Sequence, residues 1–241
     1  MAIEALYLQL LHQAIGRLRE RQPASRALLL AYPDLLIPRA VLARIVGEPL
    51  VALLPVREGA RAIWEYHGLA GVEDPLYESI AFFRALGVEA DVIDVARIRG
   101  NESIVDLNLP LPLQYVRRYD LVVDTGTCEH CFNVGQAFMN ACEALAQGGV
   151  LVHAAPLTRV NHGFWNFSPT IYPDFMEANG FELQLLAGVT GDLARGLRSF
   201  AVDPVGPFDP PRNSALYVVA QRREVRDLRW PVQRKYRGMI A

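Results

Sequence analysis

Apolar side chains at Ile3, Leu6, Tyr7, Leu10, Leu11, Ile15 and Leu18 recur three and four residues apart. That spacing predicts an amphipathic helix over 2–21, stopped by Gln22-Pro23. In the run RALLLAYPDLLIP the first part (27–32) reads as a strand, with Pro33-Asp34 as a turn, and 38–46 reads as a helix ending at Gly47. EPLVALLPV (48–56) fits a further strand or an extended connector, and 57–67 a helix. Beyond it the pattern is regular. Helices are expected at 75–86, closed by Gly87, at 133–146, closed by Gly148-Gly149, and at 169–179, where Asn179-Gly180 fits a left-handed cap. Strands are expected at 89–95, 119–124, 149–155, 181–191 and 215–223, the last two joined by a long connection that is Pro-rich at 203–211.

Short β-rich runs alternating with helices imply parallel βαβ units. Runs apolar on both faces, such as LVVD and VLVHAA, suit a sheet covered on both sides. Two terminal strands with no clear helix between them suggest an antiparallel hairpin at the sheet edge. The expected fold is a doubly wound, mostly parallel α/β sheet with a C-terminal antiparallel hairpin. An N-terminal helical cap (1–24) precedes the α/β domain (25–241). In such a sheet, ligands bind beyond the carboxyl ends of the strands.

Composition changes this picture little. A chain of 241 residues with 51% hydrophobic and 21% charged positions is ordinary globular material. A net charge of −2 gives no reason to expect nucleic acid or an anionic membrane, and the basic C-terminal segment is mixed with acids and aromatics. Three cysteines make no disulfide framework. No stretch approaches a membrane span, and Glu4 and His12 interrupt what would be a signal peptide's apolar core, so the cytoplasm is the expected compartment.

The polar residues gather at the inferred carboxyl edge. Ala31-Tyr32-Pro33-Asp34 follows the first strand; Asp94 and then Asp106-Leu107-Asn108 follow the second. Thr125-Gly126-Thr127-Cys128-Glu129-His130 comes next, and Pro156 with Asn161-His162-Gly163-Phe164-Trp165-Asn166-Phe167 follows the strand after it. The Cys-x-x-Cys of CEHC stands after a late central strand, not in the first βαβ unit, and no Trp precedes it, which argues against a redox pair. Cys128, His130, Cys131, Cys142 and His153 contain neither a second Cys-x-x-Cys nor a His-x₃-His, so no metal site is expected, and Cys131 and Cys142 read as small buried residues on a helix. His130 and His162, in polar glycine-containing segments, are candidates to deprotonate a nucleophile, with Glu129 beside them to contact substrate or hold His130. Asn133, Asn140, Asn166 and Tyr172 are candidate substrate hydrogen-bonders, His67 a candidate lid contact, and Phe164-Trp165-Phe167 reads as core.

A strand ending in an acid, a second acid about a dozen residues on, "yDlVvd.GT.EH", a helix, "GG.lv" and a late hairpin together resemble class I S-adenosylmethionine-dependent methyltransferases. NHGFWNFSPTIYPDFMEANGF is similar to the "HGFyNf.Pt...df...nGf" stretch of a bacterial small-molecule subgroup. The resemblance implies a seven-stranded Rossmann-like methyltransferase sheet and S-adenosylmethionine as cosubstrate. It also implies Asp94 on the ribose hydroxyls, Asp106 and the Leu107 N–H on the adenine, and Gly126 and Thr127 at the methionine end. The family's Gly-x-Gly turn after the first strand is missing; LLLAYPDLL stands there, so Tyr32 would cap the methionine end, its ring beside the sulfonium. The implied activity is transfer of methyl to a small molecule in bacterial specialised metabolism. One alternative is cyclisation of S-adenosylmethionine to azetidine-2-carboxylate and methylthioadenosine; another is a non-catalytic scaffold of the same fold. The expected partner is a small-molecule substrate, with a homodimer allowed and neither nucleic acid nor a membrane.

Overall fold

The computed structural model describes residues 1–22, 24–193 and 196–239. In chain order the elements are β1 (Ala2–Ile3), α1 (Ala5–Arg19), β2 (Ser25–Leu30), β3 (Asp34–Leu35), α2 (Arg39–Val46), α3 (Glu48–Val51), α4 (Ala60–Tyr66), α5 (Ser79–Ala85), β4 (Val88–Asp94), β5 (Glu102–Ile104), β6 (Tyr119–Asp124), α6 (Val134–Glu143), β7 (Leu145–Pro156), α7 (Ile171–Ala178), β8 (Phe181–Asp192), β9 (Gly196–Phe200) and β10 (Ala215–Arg222). The main sheet has the order β5-β4-β2-β6-β7-β10-β8-β9. β5, β4, β2, β6 and β7 run parallel, β10 lies antiparallel between β7 and β8, and β9 is antiparallel to β8. The first seven strands of that order form the mostly parallel, doubly wound Rossmann-like sheet with its antiparallel C-terminal pair, as expected. The eighth strand, β9, is an addition at the edge.

Alternation along the strands makes the layers. In β2, Ala27 and Leu29 join the core that holds α1, α2 and α5, while Leu28 and Leu30 join the core on the other face with α6 and α7. A period of two on a doubly covered sheet leaves neither set polar, hence the continuous apolar runs. α1 belongs to the first core through Tyr7, Leu8, Leu11, Ile15 and Leu18. It begins at Glu4, whose carboxylate accepts from the backbone N–H of Leu6 and Tyr7 at 2.7 and 2.6 Å. This cap satisfies two amides that the first turn leaves unpaired.

Several expectations need correction. Residues 2–3 are not helical: β1 pairs in parallel with β3, where only a turn was expected at Pro33-Asp34. Residues 48–51 form the short helix α3 and not a strand, with Pro49 in its first turn, where a missing N–H costs nothing. β5 and β9 carried no recognisable alternation in three- and five-residue segments, and the long connection between β8 and β10 contains β9. Of the expected stop at Gln22-Pro23, Pro23 lies outside the described residues. Among the described residues no helix is long and apolar enough to cross a membrane.

Candidate active site

The strand order reverses direction beside β2, whose neighbours are β4 and β6. Three loops meet at that carboxyl edge. After β2, Ala31 takes the left-handed conformation (φ 63°) and its N–H donates to Ile93 O of β4 at 2.8 Å. That turn is therefore made by an alanine, in a conformation that costs a Cβ-bearing residue about 1–2 kcal/mol. After β6, Asp124 Oδ1 accepts from the N–H of Gly126 and Thr127 at 3.0 and 2.6 Å. Thr127 Oγ1 donates to Leu30 O at 2.6 Å, tying this loop to the end of β2. Gly126 has φ 104°, a conformation that demands glycine, and a Cβ there would stand 2.7 Å from Glu129 Oε1 and displace that carboxylate.

After β7, the loop through 157–167 folds over the 128–130 turn. Phe164 N–H donates to Glu129 O at 2.9 Å, and Trp165 Nε1 donates to Phe132 O at 3.1 Å. A Cβ on Gly163 would lie 2.8 Å from Glu129 O and 2.9 Å from Glu129 Cγ, so the close approach needs glycine here too. Inside the loop, Asn166 Oδ1 accepts from Arg159 N–H at 2.9 Å. The result sets His162 Nε2 3.5 Å from Glu129 Oε1, with the His130 and His162 rings 5.4 Å apart.

These residues face a cavity of roughly 1170 Å³, lined also by Glu4 and Tyr7 of the N-terminal segment, by Tyr66 and His67, and by Tyr217 of β10. Its floor is a fixed polar set. Tyr217 Oη donates to Glu4 Oε1 at 2.7 Å, and Tyr7 Oη donates to Val152 O at 2.6 Å. Burial, aided by nearby acids, holds both phenols well above the ordinary tyrosine value, so they stay protonated donors. Three buried polar atoms in the cavity lining have no hydrogen-bond partner: Thr125 Oγ1, Glu129 Oε2 and Arg159 Nε. Leaving such groups unpaired costs about 1–3 kcal/mol each, which makes them candidates for a ligand's polar atoms.

Below this cluster lies a second one. Asp124 and His153 are register partners on β6 and β7, and Asp124 Oδ2 lies 2.8 Å from His153 Nδ1. His153 Nε2 lies 3.0 Å from Tyr172 Oη, and all three residues are fully buried. Burial alone would push the Asp124 carboxyl up; the His153 ring and the donors around it overcome that and hold it below the usual carboxylate value.

The expected site residues therefore divide. Glu129, His130, His162 and Gly126 come together at the cavity. Asp94 ends β4 and Asp106 follows β5 at the same carboxyl edge, but neither they nor Leu107 and Thr127 line the cavity. Burial, and then the charges of Asp124, Asp106, Glu129 and Asp94, push the Cys131 thiol up to about 11. Asp94 Oδ1 caps the turn at Val95 and Ala96, Asp106 Oδ1 accepts from Asn108, and Leu107 is buried. Thr127 serves the loop. Tyr32 is turned to other work: its hydroxyl donates to Glu78 Oε2 at 2.6 Å and accepts from Ser79 N–H, its ring lies against Arg57, and it does not line the cavity. Burial and Glu78 push its phenol up to about 12.

The expected substrate contacts are mostly structural. Asn133 caps α6 and pairs with Asn108; Asn140 fastens Leu107, Leu109 and Leu111; Asn166 closes its own loop; Tyr172 is sealed against His153. Phe164 and Trp165 are exposed and stack around Phe132, contrary to the core reading, whereas Phe167 is buried. Cys142 is buried on α6, but Cys131 is half-buried and precedes that helix. His67 reaches the cavity rim through Asp34, 3.1 Å away. Glu4, Tyr7, Arg159 and Tyr217 were missed; the acid interrupting the apolar N-terminus was the one available signal.

No family model and no curated protein matches the chain. Among solved structures it is similar to a Burkholderia thailandensis 1,6-didemethyltoxoflavin-N1-methyltransferase, with 10% identity, 88% of this chain and 77% of that one covered, and a TM-score of 0.45. It is similar to the N-methyltransferase NodS from Bradyrhizobium japonicum, with 15% identity, 90% and 88% covered, and a TM-score of 0.44. A third likeness is to a Thermotoga maritima protein described as a possible histamine N-methyltransferase, with 16% identity, 91% and 89% covered, and a TM-score of 0.39. These likenesses concern the backbone path alone and assign no residue a role.

Proposed function

We propose that the chain is an S-adenosylmethionine-dependent transferase that moves a methyl group to a small molecule held in the cavity, as part of bacterial specialised metabolism in the cytoplasm. The observation that carries this reading is the placement of Asp94, Asp106, the Gly126 loop and Glu129 after β4, β5 and β6 on one carboxyl edge, beside the point where the strand order reverses. The fit is supported by the orphaned Thr125 Oγ1 and Glu129 Oε2, which need a polar partner. S-adenosylmethionine, when bound, supplies an electrophilic methyl on a sulfonium.

Within this reading Asp94 holds the ribose, Asp106 and the Leu107 N–H hold the adenine, and Gly126 and Thr127 shape the methionine end. Glu129 orients the acceptor, and His130 or His162 takes its proton as the nucleophile attacks. Residues 1–24 act as a cap, since Glu4 and Tyr7 line the cavity; closure over it excludes water and aligns the reactants. A homodimer fits this reading equally well, and neither nucleic acid nor membrane has a part in it.

Incubation of the protein with S-adenosylmethionine alone and with candidate acceptors, followed by mass spectrometry, tests the proposal. S-adenosylhomocysteine formed only with an acceptor supports it. Methylthioadenosine and azetidine-2-carboxylate without an acceptor would replace transfer by cyclisation, and absence of calorimetric binding would leave a scaffold.

A further inference from the structure

Glu129, His130 and His162 offer one carboxylate oxygen and two ring nitrogens, all within 4.8 Å of one another. The carboxylate is not incidental. Glu129 is 1% exposed, Gly126 and Gly163 are the only residue type that fits around it, and its Oε2 has no hydrogen-bond partner. A buried carboxylate with an open oxygen is expensive to keep unless a cation meets it. Both histidines are exposed enough to move: their donor atoms would close by roughly 1 Å to reach the separations of about 3–3.5 Å found around an ion bound at about 2.1 Å.

We propose that this cluster binds one divalent transition-metal ion of the zinc type. Two imidazoles and one carboxylate suit such an ion better than calcium or magnesium, which favour all-oxygen sets. Three protein ligands leave further positions open, and these face the cavity, the arrangement of a catalytic and not a structural site. With the ion bound, the two imidazoles are ligands and no longer the base; a hydroxide carried by the ion at an open position would take the acceptor's proton and become water. The inference rests on the geometry of the cluster and not on the cofactor reading. Sequence spacing hid it because His162 comes from a different loop. The neighbouring Asp124–Cys128–His153 group has the same kind of donors but is wholly buried, and its members bond to one another and to Tyr172.

Titration of chelator-treated protein with Co²⁺ at neutral pH tests this. The expected result is one equivalent bound per chain, with visible d–d absorption and no near-ultraviolet thiolate band. Glu129→Gln, His130→Ala and His162→Ala should each weaken binding at least ~10–100-fold, with melting temperatures confirming the fold. Cys128→Ser should change nothing. The proposal is overturned by absence of saturable binding, by binding that survives all three substitutions, or by a thiolate band that Cys128→Ser removes. Calorimetry of S-adenosylmethionine binding in excess chelator is read separately. Failure there removes the cofactor reading and leaves the metal site standing, and the reverse result does the opposite.

Discussion

Asp124–His153 and Glu129–His162 are acid–histidine pairs a few residues apart in sequence at Asp124 and Glu129, and they have opposite fates. The first joins side chains directly across adjacent strands, is fully buried, and passes its hydrogen bond on to Tyr172. The second joins two loops, sits at 3.5 Å, and leaves a carboxylate oxygen unpaired against a cavity. Strand register fixes the one to high precision and fills every polar valence. The loop pair is held by backbone contacts around two glycines and keeps its side chains free for a ligand. The difference separates a satisfied structural pair from a pair of the same chemistry left open to a ligand.

The comparison breaks most severely on the buried side. Asp124→Ala removes the partner of His153 and the acceptor that shapes the Gly126 loop. A loss of about 3–5 kcal/mol in denaturant unfolding is expected, as for other buried pairs cut on one side. Glu129→Gln should leave stability within about 1 kcal/mol of the parent, because the amide keeps the shape and no existing hydrogen bond to Oε2 is lost. If Glu129→Gln unfolds the protein as Asp124→Ala does, the division between the two pairs is wrong.

On the open side the loss should appear in turnover. Under the transfer reading, His130→Ala with His162→Ala should lower product formation by about 10²–10⁴-fold, the usual range for removing acid–base assistance, with melting temperature nearly unchanged. His153→Ala should instead lower melting temperature first. Gly163→Ala sharpens the contrast from a third direction: the new Cβ meets Glu129 O and Cγ and must push the loop away. A stability cost of about 1–3 kcal/mol is expected, together with a widened Glu129–His162 pair and reduced turnover, measurable side by side in one preparation.

The sheet was legible in the sequence because long apolar runs bounded by glycine leave few alternatives; β6, at 119–124, was placed to the residue. β1, β3, β5 and β9 were not, since two to five residues cannot show a period, and their pairing depends on partners far along the chain. The site was half legible. Glu129, His130 and His162 stand out as polar residues after strands. Whether Asn140 or Tyr172 turns toward ligand or core depends on a helix's rotation, which the spacing of asparagines does not record. Tyr32 failed for a related reason. Its place at the end of β2 was right, but Glu78, Ser79 and Arg57 claim it from a segment with no evident link to the turn.

A last contrast concerns Asp34, which resembles the buried pair in being buried and satisfied but takes its partners, His67 and Arg99, from outside the sheet. Burial would raise its carboxyl, but hydrogen bonds from His67 and Arg99 outweigh that and hold it below the usual 3.8. A carboxyl with a lower pKa folded than unfolded adds stability that is complete above the unfolded value. That stability is lost as pH falls through the folded value, below pH 3.8. Arg99→Gln should cost about 1–3 kcal/mol near neutrality, the worth of hydrogen bonds to a charged group, and should flatten the acid limb of the stability curve. Denaturant midpoints measured from pH 6 down to about 3 would show it. An acid limb as steep in Arg99→Gln as in the parent would mean that Asp34 is not held by Arg99, and would leave the acid sensitivity to the other lowered carboxyls, Asp124 among them.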